Sequence, residues 1–208
     1  MPSPRREHHV HIQLRSAVKH LSVRGFSLVE LLLVLGVIAL LLVAAFVVYP
    51  QVRDRNQANT ELTNIRAIQT GVRSVFAGKG GNYEGLGRGR SVNDRGIANQ
   101  ARLFPVGMNG GDYSQNAPIT SSWGGQVWVW RNPVVTTPKG TIPWGFSFGI
   151  LYQNLPPNVC VHLLPSLVGE FHSVRLNTFE VVNEKGELDV MALTQACATA
   201  GDLVLTSI

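Results

Sequence analysis

The sequence lacks the motifs that mark the common enzyme classes, such as a nucleophile elbow or a metalloprotease signature. The glycine-rich segment Gly85–Arg90 follows no predicted strand and precedes no Lys-Ser or Lys-Thr, so it is interpreted as a surface loop and not as a phosphate loop. Four histidines lie near the N-terminus: His8, His9, His11 and His20. They show no regular ligand spacing and no cysteine lies among them, so no metal site is predicted there.

Cysteine is nearly absent, since only Cys160 and Cys197 occur. Both lie in the C-terminal part, which an N-terminal anchor would place outside the cytoplasm, and a disulfide is therefore favoured over two separate buried thiols. A thiol in a disulfide cannot attack a substrate. His162 and His172 would then need Ser166 as their nucleophile, and they are interpreted as surface histidines. We predict that the protein is not an enzyme and binds no cofactor.

Charge is unevenly distributed along the chain. The formal net charge is +5, and residues 1–25 contain five of the cations against one acid. The remainder is close to neutral, which gives little support to a specific nucleic-acid partner. A short basic segment ahead of an apolar run is instead typical of a part that stays on the cytoplasmic side of a membrane.

No charged residue lies between Leu31 and Tyr49. Roughly 20 apolar residues are needed to cross a bilayer as a helix, so this run predicts a transmembrane helix. One carboxylate, Glu30, stands at its head. An acid at the edge of such a helix is costly unless it finds a partner, which makes Glu30 a candidate functional residue.

Three interpretations of residues 1–49 are open. The first is a secretory signal peptide cut near Val43–Ala45, and the second is an uncleaved anchor. The third is a leader cut on the cytoplasmic side of the apolar run, between Gly25 and Phe26. Only the third gives Glu30 a role, because the new amine of a neighbouring copy could offset the desolvation of its carboxylate.

A basic leader ends at Gly25, the segment Phe26–Glu30 follows, and Leu31–Gly36 continues the apolar helix. In these residues the chain resembles the type IV prepilin family. The resemblance implies that a membrane-embedded peptidase cuts after Gly25 and methylates the new N-terminus at Phe26. It also implies that Glu30 guides the assembly of subunits into a filament.

Two details bear on the branch of that family. The long leader and the run Val34-Leu35-Gly36 look like the type IVb branch, whose leaders are long. Phe26 is typical of the type IVa branch instead. This departure of Phe26 from the type IVb pattern leaves the implied cleavage after Gly25 and the implied methylation unchanged.

Beyond Pro50, at which a kink or local unwinding is expected, the sequence predicts an amphipathic helix that ends at Gly78–Gly81. The predicted apolar face consists of Leu62, Ile65, Ile68, Val72, Val75 and Phe76, and the polar side of Arg53, Asp54, Glu61, Arg66 and Arg73. A continuous helix from Phe26 to about Ala77 would be roughly 78 Å long. Its first half would have to be covered by lipid or by copies of itself.

The remaining chain predicts a mixed domain with several strands. The predicted strands are Gln126–Arg131, Gly145–Tyr152, Ser173–Phe179 and Leu203–Ile208, and the predicted helices are Asp94–Phe104 and a segment that begins after Asp189. A long turn is predicted for Asn132–Pro143, and either a strand or a short helix for Leu155–Cys160.

This part also resembles the type IVb pilins of plasmid-encoded conjugative pili. The resemblance is carried by Leu62–Ile65, Ser122–Gly125, Leu155–Cys160, Ala196-Cys197 and Gly201-Asp202. It implies an antiparallel sheet packed on the long helix. It also implies a Cys160–Cys197 bridge that bounds an exposed C-terminal region.

Together these features predict an α+β pilin fold, with a long N-terminal helix packed on an antiparallel sheet and a C-terminal disulfide. The expected parts are a cleaved leader at 1–25, an apolar transmembrane and filament-core half at 26–50, and an amphipathic half at 51–77. The head follows at 78–208 and contains the disulfide-bounded region 160–197.

The predicted function is that of a type IVb prepilin, which is processed and polymerised into an extracellular filament for conjugation or adhesion. The expected partners are other pilin subunits, the prepilin peptidase and methyltransferase, the inner-membrane assembly machinery and a host or recipient cell surface. The precursor is expected in the bacterial inner membrane with its leader cytoplasmic and its head periplasmic. The alternatives are a minor pilin, a secretion-system pseudopilin, and a membrane-anchored binding module that does not polymerise.

Overall fold

The computed structural model describes residues 27–89 and 91–208, with the side chain of Val47 left out. The described chain divides into two units, and the boundary falls between Ala45 and Phe46. The predicted processing residues Gly25 and Phe26 lie outside the described residues, as does the basic leader.

Five helices are described in this part of the chain. They are α1 (Leu28–Phe76), α2 (Val92–Gln100), α3 (Val106–Asn109), α4 (Pro157–Leu167) and α5 (Val190–Ala196), and a single 3-10 turn, Ala77–Lys79, follows α1. Helix α1 continues through Pro50 and ends one residue before the predicted end. Glu30 lies in its first turn, where a negative charge interacts favourably with the unpaired backbone amides.

Helix α2 begins and ends earlier than the sequence suggests. Ser91 caps its first turn, since the Ser91 hydroxyl accepts a hydrogen bond from the Asp94 amide at 3.1 Å and donates one to the Asp94 carboxylate at 2.7 Å. The helix stops at Gln100, and Arg102 then adopts a left-handed backbone with φ of 56°. The predicted helix through Phe104 is therefore wrong at both ends.

The strands of the described chain form one sheet of five strands and one separate hairpin. They are β1 (Val127–Arg131), β2 (Val135–Thr137), β3 (Gly140–Ile142), β4 (Phe148–Leu155), β5 (Ser173–Leu176), β6 (Phe179–Glu180) and β7 (Gly201–Ser207). The large sheet has the order β1-β4-β7-β5-β6, and every pairing in it is antiparallel. The C-terminal strand β7 lies at its centre and contains residues 203–207 of the predicted strand Leu203–Ile208.

The hairpin β2–β3 occupies the segment that the sequence suggests is a plain turn. The Thr136 and Thr141 hydroxyls lie 3.4 Å apart across it, and the Thr137 hydroxyl donates to the Gly140 carbonyl at 3.0 Å. Its strands have only three residues each, which is too short for a period-two pattern to stand out in the sequence.

The main core lies between the sheet and the second half of α1. Alternate residues of the central strands, among them Ile150, Tyr152 and Leu205, enter the same buried cluster as Ile65 and Ile68 of α1. Side chains alternate across a strand, so one face of the sheet carries this core. The α1 residues recur every three or four positions, as the amphipathic pattern predicts.

The opposite face of the sheet carries a second, smaller apolar cluster. It consists of Trp128, Trp130, Leu151 and Val204. Trp130 lies over Gly149 of the neighbouring strand, where an added Cβ would stand 2.5 Å from the indole ring. Glycine is therefore required at this position for the indole to pack against the sheet.

The sequence predicts either a strand or a short helix for Leu155–Cys160. In the structure Leu155 ends β4, and α4 begins at Pro157. Pro157 occupies its first turn, where a missing N–H costs nothing. Cys160 of α4 is bonded to Cys197 at the end of α5, with the two Cα atoms 5.6 Å apart. The predicted α+β fold, with a long helix, an antiparallel sheet and a C-terminal disulfide, is thus confirmed.

Replacing Ile68 by Ala should lower the free energy of unfolding by about 2–5 kcal/mol, because Ile68 is fully buried between α1 and the sheet. Urea unfolding of the detergent-solubilised chain, followed by tryptophan fluorescence, measures this loss. The exposed Val106→Ala is the matched control and should change the value by less than about 0.5 kcal/mol. Equal effects of the two substitutions would contradict the packing of α1 on the sheet.

Candidate functional site

The apolar run that heads α1 has no covering within the described residues. An eighteen-residue stretch of α1 has a mean hydropathy of 3.3, and none of it is buried. The described side chains of Leu28–Ala45 are all exposed, including Leu40 at 73%. By length and composition this helix is able to cross a membrane.

Glu30 is the single acid on this run, and its side chain is exposed. The hydrogen bond from the Leu31 amide to the Ser27 carbonyl, 3.0 Å long, shows that the first turn is already formed beneath it. Glu30 therefore has a fixed place on the helix surface. The positions that precede Ser27, including Phe26, are not described.

The second half of α1 carries a buried acid that the sequence pattern misplaces. Glu61 was predicted on the polar side, but it is only 1% exposed. Its carboxylate accepts hydrogen bonds from the Ser122 amide and, at 3.1 Å, from the Asn64 side chain. A backbone amide from the loop before β1 thus satisfies the charge, and a single sequence offers no signal for such a long-range contact.

Tyr152 of β4 is fully buried, and its phenol interacts electrostatically with the Glu61 carboxylate. Burial raises the pKa of the Tyr152 phenol well above its ordinary value, and the negative charge of Glu61 raises it further. The phenol therefore stays neutral at any physiological pH. The hydrogen bond from the Ser122 amide to Glu61 joins α1 to the loop before β1.

About two turns further along, polar contacts tie α1 to the end of the sheet. The buried Gln69 side chain donates to the Glu170 carbonyl at 3.1 Å and to the Ser207 hydroxyl at 3.0 Å. Arg66 forms an ion pair with the Glu170 carboxylate, and Arg73 donates to the Ile208 carbonyl at 3.0 Å. The second half of α1 is therefore fixed in rotation and in register.

The two histidines of the disulfide-bounded region do not form a catalytic arrangement with the nearby hydroxyl. Ser166 and His162 are both exposed on α4, and within residues 27–89 and 91–208 no hydrogen bond joins Ser166 to His162 or to His172. Burial lowers the pKa of His172, and the neighbouring Lys139 lowers it further. Both cysteines are in the disulfide.

The described part of the chain contains no group of histidine, cysteine, aspartate or glutamate residues that could hold a metal ion.

The glycine-rich loop that begins at Gly85 packs against helix α2, which explains its glycine at position 87. The Asp94 carboxylate accepts a hydrogen bond from the Arg88 amide at 3.0 Å, and a Cβ at Gly87 would stand 2.3 Å from the Asp94 Cβ. Glycine at position 87 serves this close packing.

The disulfide-bounded region also contains a half-buried acid, Glu180 of β6. Its carboxylate accepts hydrogen bonds from the Ser173 hydroxyl at 2.6 Å and from the Val174 amide at 2.8 Å. Burial raises the pKa of Glu180, and these hydrogen bonds counter the effect only in part. Glu180 therefore links β6 to β5 through these hydrogen bonds, while its burial disfavours the charged form of the carboxylate.

Comparison with known proteins agrees with this architecture. A family model described as PilS N terminal matches residues 55–208. The structure is similar to a type IV b pilin from Salmonella typhi, with a TM-score of 0.50 and 20% identity over 71% of this chain and 97% of that chain. It is also similar to TcpA, a type IV pilin from Vibrio cholerae El Tor biotype, with a TM-score of 0.47 and 14% identity over 75% of this chain and 99% of that one. No curated protein matches the sequence.

The contribution of Glu180 to stability should fall as pH rises. Because burial raises its pKa in the folded chain, the folded state keeps the proton to higher pH than the unfolded state does. The cost is absent below the unfolded pKa of about 4.3 and is complete above the folded pKa. The stability of the wild type relative to Glu180→Gln should therefore decline as the pH rises above about 4.3, as measured by urea unfolding.

The exposed Glu184 provides the matched control for this measurement, through Glu184→Gln. If the wild type declined equally against both variants, the pH dependence would not come from the burial of Glu180.

Proposed function

The chain belongs to the PilS family and is a type IV pilin, a structural subunit of pilus filaments, and on that premise we propose that it is the prepilin of a type IVb pilus. The single observation that supports the proposal most is the α1 helix. One half of it is docked on a sheet through Glu61 and Gln69, and the other is apolar and uncovered by the described residues. A subunit that exchanges lipid for copies of itself needs such a helix.

In this proposal the chain is cut between Gly25 and Phe26, and the new N-terminal amine of Phe26 is methylated. The leader, residues 1–25, is removed. The mature protein then consists of the apolar half at 26–50, the amphipathic half at 51–77 and the head at 78–208. The cut leaves the apolar run in the product, unlike a cut near Ala45.

Before assembly, the apolar half anchors the subunit in the inner membrane. The excess of cations in residues 1–25 keeps that end cytoplasmic by the positive-inside rule. The head then lies in the periplasm, where an oxidising environment favours the bridge between Cys160 and Cys197. After assembly the same apolar half forms the core of the filament.

Glu30 acts when the subunit leaves the lipid. Burial of an unpaired carboxylate costs several kcal/mol, so an incoming subunit is placed at the height where a positive charge meets the acid. The amine of Phe26 on a neighbouring copy supplies that charge. The stagger between subunits thus follows from one ion pair in an apolar surround.

The pilus serves contact between cells, in conjugation or in adhesion. Its partners in the membrane are the prepilin peptidase and methyltransferase and the assembly machinery. These roles rest on the resemblance of residues 25–36 to prepilins and on the family of residues 55–208.

The mature chain should begin at Phe26 and carry one added methyl group on its N-terminus. Mass spectrometry and N-terminal sequencing of sheared filaments from a piliated cell measure both. A mature start at Phe46, or an unprocessed Met1, would exclude the proposed processing.

Replacing Glu30 by Ala should leave cleavage after Gly25 intact but abolish most filaments, because the substitution removes the charge that sets the stagger. The measurement compares processed subunit in the membrane with filaments recovered by shearing. Glu30→Asp keeps the charge and should retain part of the assembly. Glu184→Ala removes an exposed acid of the head and should assemble normally. Normal filaments from Glu30→Ala would show that this charge does not guide assembly.

A further inference from the structure

A pocket opens between helix α1 and helix α4, just beyond the apolar run. Its volume is about 360 Å³. The pocket is lined by Pro50, Gln51, Asp54 and Arg55 of α1 and by Asn158, Val161 and His162 of α4. Residues three or four apart are neighbours on a helix surface, so each helix contributes one face to the pocket.

The same face of α1 enters the core one turn later. Ala58, four residues after Asp54, is 3% exposed, and Ile65 is fully buried. Ahead of Ala58 the covering is incomplete, since Asp54 is half-buried and Arg55 is exposed. The pocket is therefore the part of this face that the head leaves open.

The pocket carries charges of both signs that no neighbouring side chain satisfies. Within residues 27–89 and 91–208, the side chains of Asp54, Arg55 and His162 take part in no hydrogen bond and no ion pair. Asp54 and Arg55 are adjacent in the sequence, and adjacent residues on a helix do not face each other. An acid and a cation are thus both available to a ligand that carries the opposite charges.

The pocket lies at the level of lipid headgroups if the apolar run spans a bilayer. The uncharged run ends at Tyr49, and tyrosine is enriched at the membrane–water interface. The segment from Pro50 to Arg55 extends about 8 Å along the helix. The headgroup region adds roughly 5–7 Å on each side of the hydrocarbon core. A membrane that takes up the apolar run therefore places its headgroups beside this pocket.

We propose that the pocket binds the headgroup of a zwitterionic aminophospholipid such as phosphatidylethanolamine. The inference rests on the proposed function, because it requires the apolar half of α1 to lie in a bilayer. The lipid phosphate lies against Arg55, and the primary ammonium donates to the Asp54 carboxylate. Pro50 and Val161, which is 46% exposed, provide apolar surface for the glycerol part of the lipid.

Asp54 selects between classes of lipid. An anionic headgroup without an amine would leave the Asp54 carboxylate unpaired beside a like charge. A choline headgroup keeps the positive charge but has no N–H to donate. A primary ammonium has three N–H donors, and hydrogen bonds between charged groups are about twice as strong as neutral ones. The headgroup that satisfies both Asp54 and Arg55 is therefore the one with a primary amine.

Native mass spectrometry of the full chain tests the proposal. The chain is released from nanodiscs that contain equal parts of phosphatidylethanolamine and phosphatidylcholine, and the lipid that stays bound is identified. The wild type should retain the ethanolamine lipid over the choline lipid by at least about fivefold, because a charge-assisted hydrogen bond distinguishes the two. Neither lipid has a net charge, so the basic segment 1–25 favours neither of them.

Substitutions of the two charged residues should have different effects. Asp54→Asn should remove the preference for the ethanolamine lipid, whereas Asp54→Glu should keep it. Arg55→Gln should lower the retention of both lipids and leave their ratio unchanged, since both carry the phosphate. The controls are Glu184→Gln and Arg175→Gln, which remove exposed charges elsewhere on the head and should change neither value.

Photochemical cross-linking locates the bound lipid. A photoreactive phenylalanine analogue is placed at Gln51, which lines the pocket, or at Val52, which is 49% exposed and does not line it. The two positions differ in depth by only about 1.5 Å. Lipid adducts at Gln51 should be enriched in the ethanolamine lipid, and those at Val52 should have the composition of the nanodisc. The same composition at both positions would refute binding in this pocket.

The outcomes separate this inference from the proposed function. Equal retention of the two lipids by the wild type would overturn the inference, as would a preference that survives Asp54→Asn. Displacement of the bound lipid by inorganic phosphate would show that the pocket takes a free anion instead. A chain that alkaline carbonate extracts from membranes would refute the anchor and with it the proposed function. A chain that stays in the membrane but shows no lipid preference would refute this inference alone.

Discussion

The structure depends on the removal of one apolar helical surface from water. Thirteen large apolar side chains between Leu28 and Val43 are exposed. At about 1.5–3 kcal/mol for each one buried, their exposure to water costs roughly 20–40 kcal/mol, which exceeds the whole stability of a typical domain, about 5–15 kcal/mol. No rearrangement of the head could compensate for that. Lipid or other copies of the helix must supply the covering, and in the proposed function the assembly of the pilin is a change from the first covering to the second.

That change requires the head to hold the rest of α1 in one position, and the buried polar groups explain how. An apolar stripe such as Ile65, Ile68 and Val72 packs almost equally well after a slip of one turn. Glu61 and Gln69 do not, because a slip would separate the carboxylate from the Ser122 amide and the amide side chain from the Glu170 carbonyl. Unpaired polar groups in the core cost about 1–3 kcal/mol each, and more when charged. The polar contacts therefore fix the register of the helix.

Local patterns in the sequence predicted the elements that local physics controls. The apolar run, the strand around Trp128, the cap at Asp189 and the C-terminal strand all follow from periodicity or from single residues, and the structure has them. The features that were missed depend on partners far along the chain. Glu61 looks like a surface acid until the Ser122 amide is placed beside it. Val75 continues the apolar pattern but is exposed, although its neighbour Phe76 belongs to the core. The roles proposed for Gly25, Phe26 and Glu30 come from a motif, and no packing within one subunit could have revealed them.

The disulfide-bounded region shows how a short helix can be held on the head while some of its apolar side chains stay outside the core. Helix α5 has only seven residues, too few to be stable alone, and it is held by the Asp189 cap and the Cys197 bridge. Ala196 belongs to the core, whereas Val190 and Met191 are exposed. The same separation holds in α2, where Ile97 is exposed and the neighbouring Ala98 is buried. Substitutions at the outward positions therefore leave the core intact, so the character of the exposed surface and the stability of the head are set by different residues.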